Sequence, residues 1–149
     1  NAEEVLPGVI EGPVANGDAK FNFRNFIIIS AESEPAGAAA LAAGEQGRGF
    51  NYLNLFYRNQ GKEASGYVTD EFLTAIAEAA KVPDLAKWNK DRESSKIKGE
   101  VKATTEEAAR LGFTGTPSFA IKGPNTNGLE LLGNLSSTDE MEAAIEAAG

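Results

Sequence analysis

Gly112-Phe113-Thr114-Gly115-Thr116-Pro117-Ser118-Phe119-Ala120-Ile121 is the stretch on which the fold turns. Two glycines and a proline separate a helical run from an apolar one, and that pairing of residue types marks a tight turn. Residues 118–121 then read as a short strand. An X-Pro bond in a folded protein is cis about one time in twenty, so residue chemistry makes Thr116-Pro117 a turn and no more. The glycines do not form a phosphate loop, because the lysine and the spacing of that motif are missing.

Working downstream, Gly123-Pro124-Asn125-Thr126-Asn127-Gly128 is turn chemistry throughout, and residues 129–132 read as the hairpin partner. Ser137, with Glu140 three positions on, caps a last helix carrying Met141, Ala144 and Ile145. Upstream, the pattern is helical from Ala36 to about Gly112. Residues 38–43 are strong helix formers, and Phe50, Leu53, Phe56 and Tyr57 recur at helical spacing. Thr69-Asp70-Glu71 opens a helix that places Phe72, Leu73, Ile76 and Ala80 on one face. Pro83-Asp84 starts another, carrying Leu85 and Trp88, and Thr104 with Glu107 has the spacing of a capping box. Residues 20–29 read as a strand, alternating at Phe21 and Phe23 and continuously apolar from Phe26, as a strand covered on both faces would be. Ser30 to Pro35 breaks it. Gly12-Pro13 and Asn16-Gly17 mark a loop, and Glu3, Glu4, Val5, Leu6, Val9 and Ile10 look like the end of a helix. The order is helix end, strand, helical block, hairpin, helix: a single α/β domain over residues 1–149 with a large helical insertion.

Composition narrows the chemistry. Lys plus Arg number 14 against 22 Asp plus Glu, a net charge of −8. Such a chain repels phosphate backbones and anionic membrane surfaces, which argues against nucleic acid as a partner. There is no Cys and no His, so disulfides, thiolate nucleophiles, Ser-His-Asp triads and Cys- or His-ligated zinc are excluded within these residues. No apolar stretch approaches the length of a membrane span, so no membrane insertion is expected. No charged-then-apolar leader opens the sequence, so no signal peptide is read in it.

The residues from Gly112 to Ile121 resemble the cis-proline loop and following strand of the DsbA-like thioredoxin-fold family. Phe23-Arg24-Asn25-Phe26, Ser33-Glu34-Pro35 and residues 38–46 are similar to that family's second strand and first inserted helix. Residues 54–60 together with Thr69-Asp70-Glu71-Phe72-Leu73 resemble the next part of its helical insertion. The resemblance runs in order over nearly the whole chain. It implies a thioredoxin-like fold with a helical insertion at 33–111, and the parent activity of a bacterial, extracytoplasmic protein disulfide oxidoreductase. That activity acts on cysteines of exported proteins and needs no cofactor. By position, Thr116 would precede the cis-proline and Pro117 would be it. Gly115, Thr116 and Pro117 would then hold extended or unfolded protein substrates by strand addition.

The family's Cys-x-x-Cys sits at the start of its first helix, where the helix dipole lowers the thiol pKa. Here residues 3–11 align with the end of that helix. The expectation is a chain that lacks the family's first, central strand and the catalytic pair, so that catalytic residues are absent and the polypeptide alone is redox-inactive. Unpaired backbone groups at the gap would each cost about 1–3 kcal/mol, so a homodimer or strand-swapped assembly is expected to fill it. Two alternatives stay open: a non-catalytic peptide-binding module, and the glutathione-transferase or isomerase branch of the same fold.

Other candidates have plainer readings. Glu3-Glu4, Asp70-Glu71, Glu106-Glu107 and Asp139-Glu140 read as helix starts or solvated faces rather than acid–base pairs. Asn125-Thr126-Asn127-Gly128 lacks the carboxylates of a calcium loop, so no metal site is expected. Trp88 reads as core, and Arg24 and Arg58 as surface charges with buried stems.

Overall fold

A computed structural model of the chain describes residues 2–28, 30–133, 135 and 137–149, with side chains from Val5 onward. Among the described residues it is a mixed α/β chain of seven α-helices, one π-helical stretch and a two-stranded sheet. The Cα framework divides into two compact units. One comprises residues 1–24 and 109–149, the other residues 25–108.

In the first unit, α1 (Ala2–Val9) runs into a π-helical stretch at Ile10–Val14. The turn chemistry at Gly12-Pro13 predicts a loop. The chain stays helical instead, because a proline in a helix removes one i→i−4 bond and a π-register accommodates the loss. The stop comes at Gly17, at φ +85°, with its N–H on the Val14 carbonyl at 3.1 Å. Val5 and Val9 bury against Met141 of α7 (Thr138–Ala148), with Phe119, Leu132 and Ile145 packed around them. Gly8 lets the two helices approach closely. A Cβ at that position would stand 2.6 Å from Thr138 Cγ2, and Thr138 Oγ1 donates to the Val5 carbonyl at 3.3 Å.

β1 (Phe119–Ile121) and β2 (Glu130–Leu132) form an antiparallel hairpin with Phe119 opposite Leu132 and Ile121 opposite Glu130. Its loop is tied to the end of α7: Asn125 N–H donates to the Ala148 carbonyl at 3.1 Å and Asn125 Nδ2 to the Ala147 carbonyl at 3.3 Å. Those carbonyls have no partner within the helix itself. Gly123 sits so close that a Cβ there would lie 2.2 Å from the Ala148 oxygen.

In the second unit, α2 (Ser33–Gly44) buries Ala38, Ala39, Ala40, Ala42 and Ala43, so it is covered on most sides, as its uniformly small apolar residues require. Pro35 lies in the first turn of α2, where its missing N–H would have no partner anyway. Around α2 stand α3 (Gly49–Arg58), α4 (Asp70–Ala79), α5 (Leu85–Arg92) and α6 (Ser95–Arg110). The core is Tyr52, Phe56, Leu73, Ile76 and Trp88 packed on the alanines, with Trp88 Nε1 donating to the Ala39 carbonyl at 2.9 Å. Burial of each of these large side chains contributes about 1.5–3 kcal/mol.

Helix starts obey local chemistry. Thr69 accepts from Phe72 N–H at 3.2 Å, Asp84 from Lys87 N–H at 2.8 Å and Ser137 from Glu140 N–H at 3.2 Å. Thr104 does not. It lies inside α6, and its hydroxyl bonds back to the Glu100 and Val101 carbonyls at 3.1 and 3.0 Å, because Ser94 and Ser95 already begin that helix.

Residues 20–28 are the larger departure. They keep the side-chain alternation, with Phe21 and Phe23 half-buried and Asn22 and Arg24 exposed, but they join no ladder among the described residues. Ile29 lies outside the described residues. Asn25 and Ile27 bond to helices instead: Asn25 Nδ2 to the Gly37 carbonyl at 3.5 Å, and Ile27 N–H to Thr105 Oγ1 at 3.2 Å. Coverage on both faces is not seen, since Ile28 is exposed.

Candidate functional site

The turn between α6 and β1 is built step by step from its residues. α6 ends at Arg110, and Gly112 takes the left-handed conformation at φ +84° with its N–H on the Ala109 carbonyl at 3.1 Å. Only a glycine enters that region without a Cβ penalty. Leu131 Cδ1 lies 3.8 Å from where a Cβ would stand, so β2 backs this corner. Gly115 has open space beside it. The Thr116–Pro117 peptide bond is cis. Ser118 Oγ donates to the Gly115 carbonyl at 2.5 Å and closes the turn. Thr116, Pro117 and Ser118 are exposed, whereas the Phe119 that follows is anchored on the α1–α7 core.

The chemistry available here is that of backbone and shape. From Leu111 to Ile121 no residue is charged, so the turn and strand offer amides, carbonyls and one hydroxyl each from Thr114, Thr116 and Ser118. A strand in a two-stranded ladder turns half of its backbone groups away from its partner. β1 has β2 on one side and no second strand among the described residues. Its other edge therefore presents donors and acceptors of the kind that recruit an extended chain.

Elsewhere the structure places the remaining candidates. Trp88 is core. Arg58 is exposed, as is Arg24. Asp70 pairs with Arg92 Nη2 at 2.8 Å rather than with Glu71. The loop holding Asn125 to Gly128 is closed by Thr126 Oγ1, which donates toward the Gly123 and Gly128 carbonyls at 2.9 and 2.8 Å. Among the described residues no group of three or more acidic side chains is placed to hold a metal ion, and no helix is long and apolar enough to cross a membrane.

Arg92 is the residue that sequence reasoning passed over. It is only 5% exposed, with hydrogen bonds to Asn89 Oδ1 at 2.9 Å, Glu93 Oε1 at 3.1 Å and Asp70 Oδ1 at 2.8 Å. Its one sequence signal is the position four residues after Trp88, the spacing at which helical side chains meet.

Comparison with known proteins gives the family. The family model described as Thioredoxin matches residues 1–147. A probable disulfide bond formation protein D of Bacillus anthracis is 29% identical over 127 residues, covering 83% of this chain and 58% of the relative. The chain thus spans little more than half the length of that protein.

Proposed function

The chain belongs to the thioredoxin family, and from that membership we propose that it serves a protein of thiol–disulfide oxidoreductase type, in which these residues hold an extended polypeptide against the edge of β1. The carrying observation is the juxtaposition at residues 115–121. An exposed, uncharged Thr116-Pro117 step leads directly into a strand whose second edge has no neighbour among the described residues. A substrate held there is selected by backbone conformation more than by side chain, which suits a protein that must accept many unfolded sequences. We read the helical unit, residues 33–111, as an insertion in that fold.

Thiol–disulfide exchange starts with attack by a thiolate. These 149 residues contain no Cys, so the bond-making step does not take place on them. Disulfide chemistry belongs to oxidising compartments. The reading accordingly places the work in the envelope of a bacterium or outside the cell, on cysteines of exported proteins. The same free edge also accepts β1 of a second copy, so the purified chain is expected to form homodimers through it.

A second reading is favoured by the missing cysteines: a peptide-binding module with no redox partner reaction at all. Two measurements separate these. An amide-resolved NMR titration with a reduced, alkylated, unfolded protein should shift residues 112–121 and leave the rest of the first unit still, and Thr116→Arg should abolish the shifts. Absence of shifts there overturns peptide binding in both readings. Dithiothreitol-driven insulin reduction should run at its uncatalysed rate with this chain, and any acceleration overturns its redox silence. Light scattering that finds only monomer removes the dimer.

A further inference from the structure

Between α4 and α5 runs an open groove of about 640 Å³. Neither the turn at residues 112–118 nor β1 takes part in it. Its floor is made by the buried Trp88, by Leu85 and by two small residues, Ala75 on α4 and Ala86 on α5, and Thr74, Asn89 and the ion-paired Arg92 also line it. Ala75 and Ala86 are exposed, so the floor admits a close approach by side chains of another molecule. One lip is acidic: Glu71 and Glu78, both exposed, lie a heptad apart on α4 and so share a face, about 10.5 Å apart along the axis. Asp70 at one end is already engaged by Arg92, and neither Glu71 nor Glu78 forms an ion pair among the described residues.

We infer that this groove docks a basic amphipathic helix of a protein partner, with its apolar side on Ala75, Leu85 and Ala86 and two lysines or arginines a heptad apart on Glu71 and Glu78. Charge decides between occupants. A second copy of this chain carries a net charge of −8 and meets the acidic lip with repulsion, as do nucleic acid and anionic lipid. A positively charged helix is drawn to it, and the spacing of the two carboxylates matches the repeat of a helix face rather than that of an extended strand, in which successive residues on one face lie about 7 Å apart. Helix-in-groove recognition uses this division of labour, with apolar anchors below and charges at the rim.

The sequence supplies its own reporter, since Trp88 is the single tryptophan and forms part of the groove floor. The probe is a leucine- and alanine-rich helical peptide of about 18 residues with two lysines a heptad apart. Titrated into the full chain at low salt, it should change the Trp88 emission saturably, and Glu71→Gln with Glu78→Gln should weaken binding about fivefold. A companion peptide with glutamates in place of the lysines should bind only when Glu71→Lys and Glu78→Lys are introduced. Equal binding of both peptides to the unmodified chain, equal binding by the Gln double variant, or no response to the lysine peptide overturns the proposal. So does self-association that depends on Glu71 and Glu78, which would make a second copy the occupant. Because the probe touches no residue of 112–121, its failure leaves the polypeptide-holding reading of β1 untouched, and the reverse is also true.

Discussion

The guanidinium carbon of Arg92 lies 5.2 Å from the centroid of the Trp88 ring, one helical turn away on the same face of α5. A buried cation is costly unless its hydrogens find acceptors. Arg92 meets that need with Asp70, Asn89 and Glu93 while its charge lies over the indole ring. A lysine keeps the charge but loses the planar fork. Arg92→Lys should therefore destabilise the second unit by about 1–3 kcal/mol, read as a lower midpoint in urea. An unchanged midpoint would show that the three bonds contribute nothing net.

The approach of α1 to α7 at Gly8 gives a steric prediction. In an ordinary helix Gly→Ala is stabilising by up to about 1 kcal/mol. At Gly8 the added carbon would stand 2.6 and 2.8 Å from Thr138 Cγ2 and Oγ1, so Gly8→Ala should destabilise by about 1–3 kcal/mol. Thr138→Ala removes both of those atoms and should restore part of the loss in the double variant. Thermal melting of the three variants tests the coupling, and strict additivity would contradict the clash.

Two threonines that look alike on paper should behave differently. Thr69 satisfies an otherwise unpartnered N–H at the start of α4, so Thr69→Ala should cost about 1 kcal/mol. Thr104 bonds back within α6, where alanine is the better helix former. Thr104→Ala should be neutral within about 0.5 kcal/mol or slightly stabilising. Urea midpoints of the pair decide it.

Alkaline stability should depend on Tyr52. Burial pushes its phenol well above the usual range, against a smaller opposing effect of the Arg92 charge, and its hydroxyl donates to the Leu73 carbonyl at 3.2 Å. The unfolded chain gives up this proton near pH 10 and the folded chain holds it. The stabilisation is complete below about pH 10 and is lost as pH rises beyond it, at up to about 1.4 kcal/mol per pH unit for one group. Tyr52→Phe should flatten that decline in urea titrations at successive alkaline pH values. An identical slope would assign the decline to other groups.

The contrast between what sequence reveals and what it hides follows the range of the forces involved. Thr69, Asp84 and Ser137 were legible as caps because each bonds an amide three residues away. The β1–β2 hairpin was legible because Pro124 to Gly128 can hardly do anything but turn. Residues 20–28 failed as a strand although their alternation survives, since a strand exists only with a neighbour and no local pattern states where that neighbour is. Thr104 carried the letters of a capping box while the start of its helix lay further back, at Ser94 and Ser95. Of the candidate site, the turn at Gly115, Thr116 and Pro117 was plain from residue types, and its exposure is a property of the folded chain. Arg92 was hidden because its burial depends on Asp70 of α4 and on Trp88 lying beneath it.

The bonds from Asn125 to the last carbonyls of α7 make the hairpin loop and that helical end a single melting unit. Fraying of the final turn would release Asn125, and loosening of the loop would expose the carbonyls of Ala147 and Ala148. The amide hydrogens of Asn125 and Gly149 should therefore exchange with solvent at matched rates. A label attached at Gly149 would then report on the β1–β2 hairpin as faithfully as one placed in the loop itself.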